Sequence, residues 1–229
     1  MSGVLPTYNE TALHAALKRW AAGPEAHFEV NVDGYVVDVV QGDGELVEIQ
    51  TGNFGAIGAK LSALARNHRL RLVYPIAVTK WIVRRNPDGD GYLSRRRSPR
   101  KGAVSDLFYE LVRVPYLLAD PNVTLEVVLT EEEEFRHYGQ TRRRRRWRWI
   151  TDERRLLQVI ACHEFASPAD LGTLLPASLP ERFTTADLAS ALNQKRALAQ
   201  KMAYCLRKLA LFEEAGKQGN ALVYRRLTS

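Results

Sequence analysis

The sequence predicts an α/β protein: a mixed sheet flanked by helices, followed by a smaller, mainly helical module that ends in a hairpin. Three observations carry this. Between residues 27 and 50 apolar residues recur with period two, in HFEVNV, YVVDVV and ELVEIQ, separated by the turns Asp33-Gly34 and QGDG. On either side of that run they recur with helical spacing. Beyond residue 180 two helical stretches are followed by a pair of short segments around AGKQGN.

The elements follow in order. In T-Y-N-E, Thr7 has the spacing of a cap and Glu10 that of the third helical position, and Leu13, Leu17 and Trp20 mark the apolar side of the first helix. The three strands of the meander come next. A second helix is expected from Phe54 to His68, with Ile57, Leu61 and Leu64 aligned, and RLVYPIAV reads as a buried strand. Lys80 to Arg85 reads as a further strand and PDGDG as a turn, while SRRRSPRKG is too polar and basic to pack and reads as an exposed loop. A helix from about Ala103 to Val112 and a strand from Val123 to Leu129 complete a first domain, residues 1–140. Glu131 to Glu134, Arg142 to Arg146 and Trp147-Arg148-Trp149-Ile150 surround the expected boundary, and residues 141–229 form the second domain. There ERRLLQVIACHEF and PADLGTLL read as helices, and Thr184 caps a short helix that runs to Leu192. After the turn at Asn193-Gln194, a longer helix carries Leu198, Met202, Cys205, Leu206 and Leu209 on one face.

Composition narrows the function. The chain has 229 residues, 45% of them hydrophobic, which is ordinary for a globular protein. No apolar run approaches the roughly 18 residues of a membrane span, so a soluble, cytoplasmic protein without a membrane partner is expected. Cys162 and Cys205, both in stretches that read as helices, predict neither a disulfide framework nor a zinc site. The net charge of +7 is unevenly spread. Lys plus Arg against Asp plus Glu number 9 and 10 in residues 1–90, 13 and 8 in 91–150, and 11 and 8 in 151–229. A polyanion held by the later segments, with chemistry in the first, fits that distribution.

The chemistry is expected in the meander. If the hairpin is centred on Asp43, Val40 faces Leu46 and Asp38 faces Glu48, and parity puts Asp38, Glu48 and Gln50 on one side with Val37, Val39, Val47 and Ile49 on the other. Opposed carboxylates roughly 5 Å apart repel. A hard cation such as Mg²⁺ between them removes that repulsion and is content with one or two carboxylates plus water and phosphate. Glu10, three and seven residues before Leu13 and Leu17, is on the inward side of its helix and can join the same site.

A helix bearing an acid, a meander with Asp and, ten residues on, Glu-x-Gln, then a helix and a strand, resembles the PD-(D/E)XK nuclease superfamily and its restriction-endonuclease-like core. The resemblance covers about residues 5–80. It implies a metal-dependent endonuclease, using Mg²⁺ or Mn²⁺, that hydrolyses DNA phosphodiester bonds, with Asp38, Glu48 and Glu10 as metal ligands and Gln50 where the family usually has lysine. Glutamine brings no charge and cannot serve as a base at neutral pH. Lys60, on the following helix, is a substitute if its side chain reaches the site. A catalytically inactive DNA-binding or regulatory protein on the same scaffold is the alternative left open by Gln50. Nucleases of this kind often act as homodimers.

The last third of the chain resembles a winged helix-turn-helix domain, which implies DNA contacts from Lys195, Arg196, Gln200 and Arg207 on its second helix and Lys217 at the wing tip. Further phosphate contacts are expected from the basic loop, through Arg95, Arg96, Arg97, Arg100 and Lys101, and from Arg142, Arg143, Arg144, Arg145 and Arg146 beside two tryptophans.

Overall fold

The computed structural model describes residues 11–86, 91–140 and 147–227. The chain runs through α1 (Ala12–Ala21), β1 (His27–Val32), β2 (Tyr35–Val40), β3 (Leu46–Ile49), α2 (Phe54–Leu64), β4 (Leu70–Arg85), β5 (Tyr92–Arg97), α3 (Phe108–Leu111), β6 (Val123–Gln140) and β7 (Trp147–Phe165). It continues with α4 (Pro168–Gly172), β8 (Arg182–Thr184), α5 (Thr185–Ala191), α6 (Arg196–Lys208), β9 (Phe212–Gln218) and β10 (Ala221–Arg226).

The first seven strands form one mixed sheet in the order β1-β2-β3-β4-β6-β7, with β5 paired to β4. The meander is antiparallel, as its turns require: Asp33 and Gly34 both have positive φ, 50° and 84°, the backbone of a tight hairpin turn. After α2 the chain returns parallel, β4 pairing with β3 and then with β6. One face of the sheet is covered by α1, whose Leu13, Leu17 and Ala21 pack on Val39, Val47, Ile49, Val73 and Val128. The other is covered by α2 and α3, through Phe54, Leu61, Leu64, Phe108 and Leu111, and this core continues without a break into Leu171, Phe183, Leu198, Met202 and Leu206 of the C-terminal module. In that module three short strands pair in the order β8-β10-β9 beside α4, α5 and α6.

Several sequence expectations change. The cap of α1 is Thr11, in extended conformation and accepting from the His14 amide; Thr7 and Glu10 lie outside the described residues. The two strands expected over 70–85 are one, and Ser94–Arg97, expected as a loop, pair with its second half from Trp81↔Arg97 to Arg84↔Ser94. The strand starting at Val123 runs on through the four glutamates to Gln140. The largest correction concerns 153–165, expected as helix but lying in β7, which pairs with β6 from Leu125↔Phe165 to Gln140↔Trp147. The sheet therefore reaches past the boundary expected at 141 and ends at Phe165. Cys162 accordingly stands exposed on a strand, while Cys205 is buried in α6, and both are free thiols. No helix among the described residues is long and apolar enough to cross a membrane.

Candidate functional site

The β2–β3 ladder is paired at Val40↔Leu46 and Val39↔Val47, in the expected register, and records no pairing beyond them. Where Asp38 would face Glu48, the Asp38 carboxylate instead reaches across and accepts the Ile49 amide at 2.8 Å. The strand alternation breaks at this point. Val39 packs under α1 whereas Val37 joins the cluster of Leu46, Phe54 and Leu61 on the other face, so the single apolar side expected for Val37 and Val39 does not exist. The Asp38 side chain is left beside α1, with His14 Nε2 3.2 Å from its Oδ2. Burial works to raise the Asp38 pKa, but the His14 hydrogen bond and charge, the Ile49 amide and the Lys60 charge outweigh it and hold the carboxyl below its ordinary range.

Glu48 is in the opposite condition. It is only 4% exposed, and burial, reinforced by the negative charge of Asp38, pushes its pKa up against the pull of Lys60. Lys60 projects from α2 so that its Nζ lies 2.5 Å from Glu48 Oε1 and donates to the Val36 carbonyl at 2.6 Å. Its helical position explains the reach, since Lys60 falls between Ile57 and Leu64 on the side of α2 that faces the sheet. Oε1 of Glu48 meets this ammonium by charge but without hydrogen-bond geometry, and it is otherwise a buried oxygen without a donor. Two neighbouring carboxylates pushed in opposite directions are an arrangement suited to divided roles.

Of the four residues expected in the site, the structure brings Asp38 and Glu48 together; Lys60, considered as a substitute for the missing lysine, reaches Glu48, and His14 is added. Gln50 is turned to the local backbone, its side-chain amide donating to the carbonyls of Gly52 and Asn53 at the entry to α2. Glu10 lies outside the described residues, among which no group of three or more His, Cys, Asp and Glu side chains is positioned for a metal. The donors that fit a hard cation are thus two oxygen ligands, Asp38 and the underbonded Glu48, as Mg²⁺ accepts when water and phosphate complete its shell.

The basic residues divide into engaged and exposed. Arg95 stacks over Trp81 at 4.0 Å and pairs with Glu133 at 2.7 Å, Arg97 donates to the Thr79 hydroxyl, and Arg207 pairs with Glu214 at 3.1 Å. The four glutamates belong to β6 of the sheet. Glu132, fully buried, binds Arg154 at 2.7 Å and the Thr130 hydroxyl. Burial alone would raise Glu134, but Lys80, Arg136 and Thr151 outweigh it and hold its pKa at about 2. Arg96, Arg100, Lys101, Lys195, Arg196, Gln200 and Lys217 are exposed, whereas Arg142 to Arg146 lie outside the described residues. A cavity of about 950 Å³ brings Arg100, Lys101 and Lys195 to one place and adds Lys80, Arg136 and Arg154, which the sequence did not single out.

Residues 11–166 match the family described as Domain of unknown function (DUF8091), which coincides with the large sheet and its end at Phe165. An uncharacterized protein of Treponema pallidum (strain Nichols) is 31% identical over 223 residues, covering 96% of this chain and 86% of that protein. No solved structure matches the chain.

Proposed function

The chain belongs to the DUF8091 family, and we propose that it is a metal-dependent endonuclease that hydrolyses DNA phosphodiester bonds at the Asp38–Glu48 pair. The observation that carries this reading is the ammonium of Lys60 at 2.5 Å from Glu48. It provides, from α2, the positive charge that a Glu-x-Lys motif would supply and that Gln50 cannot. The order α1, three-stranded meander, α2, parallel β4 supports a restriction-endonuclease-like core for the first part. The order α4-β8-α5-α6 followed by the β9–β10 hairpin supports a winged helix for the last. DNA as partner and a cytoplasmic location complete the reading.

Each residue has a defined task. Asp38 and Glu48 would hold Mg²⁺ or Mn²⁺, and by the resemblance Glu10 would be a third ligand. When bound, the ion supplies a water of lowered pKa and neutralises phosphoryl oxygens. His14 and the Ile49 amide fix the Asp38 carboxylate and keep it ionised, ready to coordinate. Lys60 balances Glu48 in the protein as it stands, and its ammonium would supply positive charge toward a phosphate held at the pair. Phosphodiester hydrolysis needs charge stabilisation above all, and a preorganised ammonium in a partly buried site provides it.

The test is incubation of the full chain with supercoiled plasmid and branched DNA in Mg²⁺ or Mn²⁺. Cleavage is expected, lost in Asp38→Ala and Glu48→Ala and reduced in Lys60→Ala; cleavage that survives both carboxylate substitutions overturns the assignment. The engagement of Gln50 with the backbone favours a second reading, a DNA-binding regulator that has lost catalysis. Metal-independent DNA binding without cleavage selects it.

A further inference from the structure

The cavity of about 950 Å³ opens where the large sheet meets the C-terminal module. At one end its lining includes Thr51, three residues after Glu48 in the chain, and Tyr74, which follows Val73, the β4 partner of Ile49. From there it runs along β4 and β6, roofed by the 98–110 segment and by Gln194 and Lys195 at the start of α6. Its carboxylates are already committed to the protein. Glu110 accepts the Phe54 amide, Asp106 the Ala103 amide, and Glu134 is held by Lys80 and Arg136. Arg100, Lys101 and Lys195 are exposed and form no ion pair among the described residues, so the net field of the groove is positive. Half-buried Tyr74 and Tyr109 line it, and an aromatic ring recessed in a cleft meets the face of a base only when that base is unpaired.

We infer that this groove holds a single-stranded stretch of DNA and leads its backbone to the acid pair, so that substrates with an unpaired strand, rather than intact duplex, are the class acted on. The choice of DNA rests on the nuclease reading above. The strand's phosphates meet Arg100, Lys101 and Lys195 and a base stacks on Tyr109. The C-terminal module is then one wall of the substrate channel rather than a separate anchor.

Fluorescence anisotropy of the full chain with a labelled DNA oligonucleotide, as single strand and as blunt duplex, tests this across a salt series. The single strand should bind more tightly. Each phosphate contact on a single strand contributes about 0.7 to the salt slope, so R100Q/K101Q/K195Q should flatten it by about 2. Arg19→Gln, exposed on α1 at the opposite face, should leave it unchanged. Tyr109→Leu should weaken strand binding roughly 5-fold or more, with Tyr109→Phe restoring it. An unchanged slope in the triple variant, duplex bound as tightly as single strand, or RNA of the same sequence bound more tightly than DNA overturns the inference. Cation-dependent strand binding with no cleavage in Mg²⁺ or Mn²⁺ removes the nuclease reading and keeps the groove. Cleavage lost in Asp38→Ala, with strand affinity indifferent to the triple substitution, does the reverse.

Discussion

Replacing Lys60 by methionine probes the electrostatics of the acid pair, because it keeps most of the aliphatic stem and removes the ammonium, with its charge on Glu48 and its hydrogen bond to the Val36 carbonyl. Glu48 is 4% exposed and Lys60 Nζ lies 2.5 Å from its carboxylate, so the substitution leaves a buried acid without its cation. Stranding one member of a buried pair costs about 3–5 kcal/mol. The lower end applies here, since the Lys60 side chain is 20% exposed and Glu48, its pKa already raised, can escape by taking up a proton. For a chain of this size about 3 kcal/mol lowers the thermal midpoint by roughly 6–12 °C. The assay is unfolding followed by circular dichroism at pH 7 for wild type, Lys60→Met, Glu48→Gln and the double variant. Coupled residues give an interaction energy of about 2 kcal/mol or more, so Lys60→Met should be much milder once Glu48 is neutral. Equal destabilisation in both backgrounds refutes the pairing, and with it the substitution of Lys60 for the missing lysine.

Other consequences follow from the same geometry. Glu48 has a raised pKa, so its stabilising contribution is complete below the ordinary glutamate value of 4.5 and is lost as pH rises through the folded value; the stability of wild type relative to Glu48→Gln should therefore fall as pH rises above 4.5 in denaturant titrations. Asp38 has a lowered pKa and behaves oppositely, so the advantage of wild type over Asp38→Asn should disappear as pH falls below 3.8 and through the folded value. Mn²⁺ at about a hundred times its dissociation constant should stabilise the native state by about 2.7 kcal/mol, read by differential scanning fluorimetry and abolished in Asp38→Ala. Arg154→Met strands the fully buried Glu132 and should cost about 3–5 kcal/mol by urea unfolding.

The meander and its register could be read from the sequence because two signals agree there: period-two alternation, and turn residues that favour positive φ at Asp33 and Gly34. The break at Asp38 could not be. It depends on a carboxylate competing with the ladder for the Ile49 amide, which no periodicity records. Lys60 carried a local signal, its position between Ile57 and Leu64, although an exposed lysine gives the same pattern. His14 carried none, since its role is defined by the packing of α1 across the sheet. β7 was misread for a physical reason as well. Leu156, Leu157 and Ile160 recur at helical spacing, while the interactions that hold the strand are ion pairs such as Arg154 with Glu132, which leave no apolar alternation.

The parallel pairing of β4 with β6 has a consequence during synthesis. β4 ends at Arg85, and the whole of β6 exists only once Gln140 has been added, 55 residues later. At about 5–20 residues per second that interval is roughly 3–11 s. For most of it, until Leu125, Glu126 and Leu129 have been added, the edge of β4 at Leu72, Val73 and Ile76 lacks its β6 partners. A nascent chain in that state presents an apolar strand edge to the cytosol or to whatever holdase shields it, so yield should depend on translation speed between residues 85 and 140 more than elsewhere in the chain.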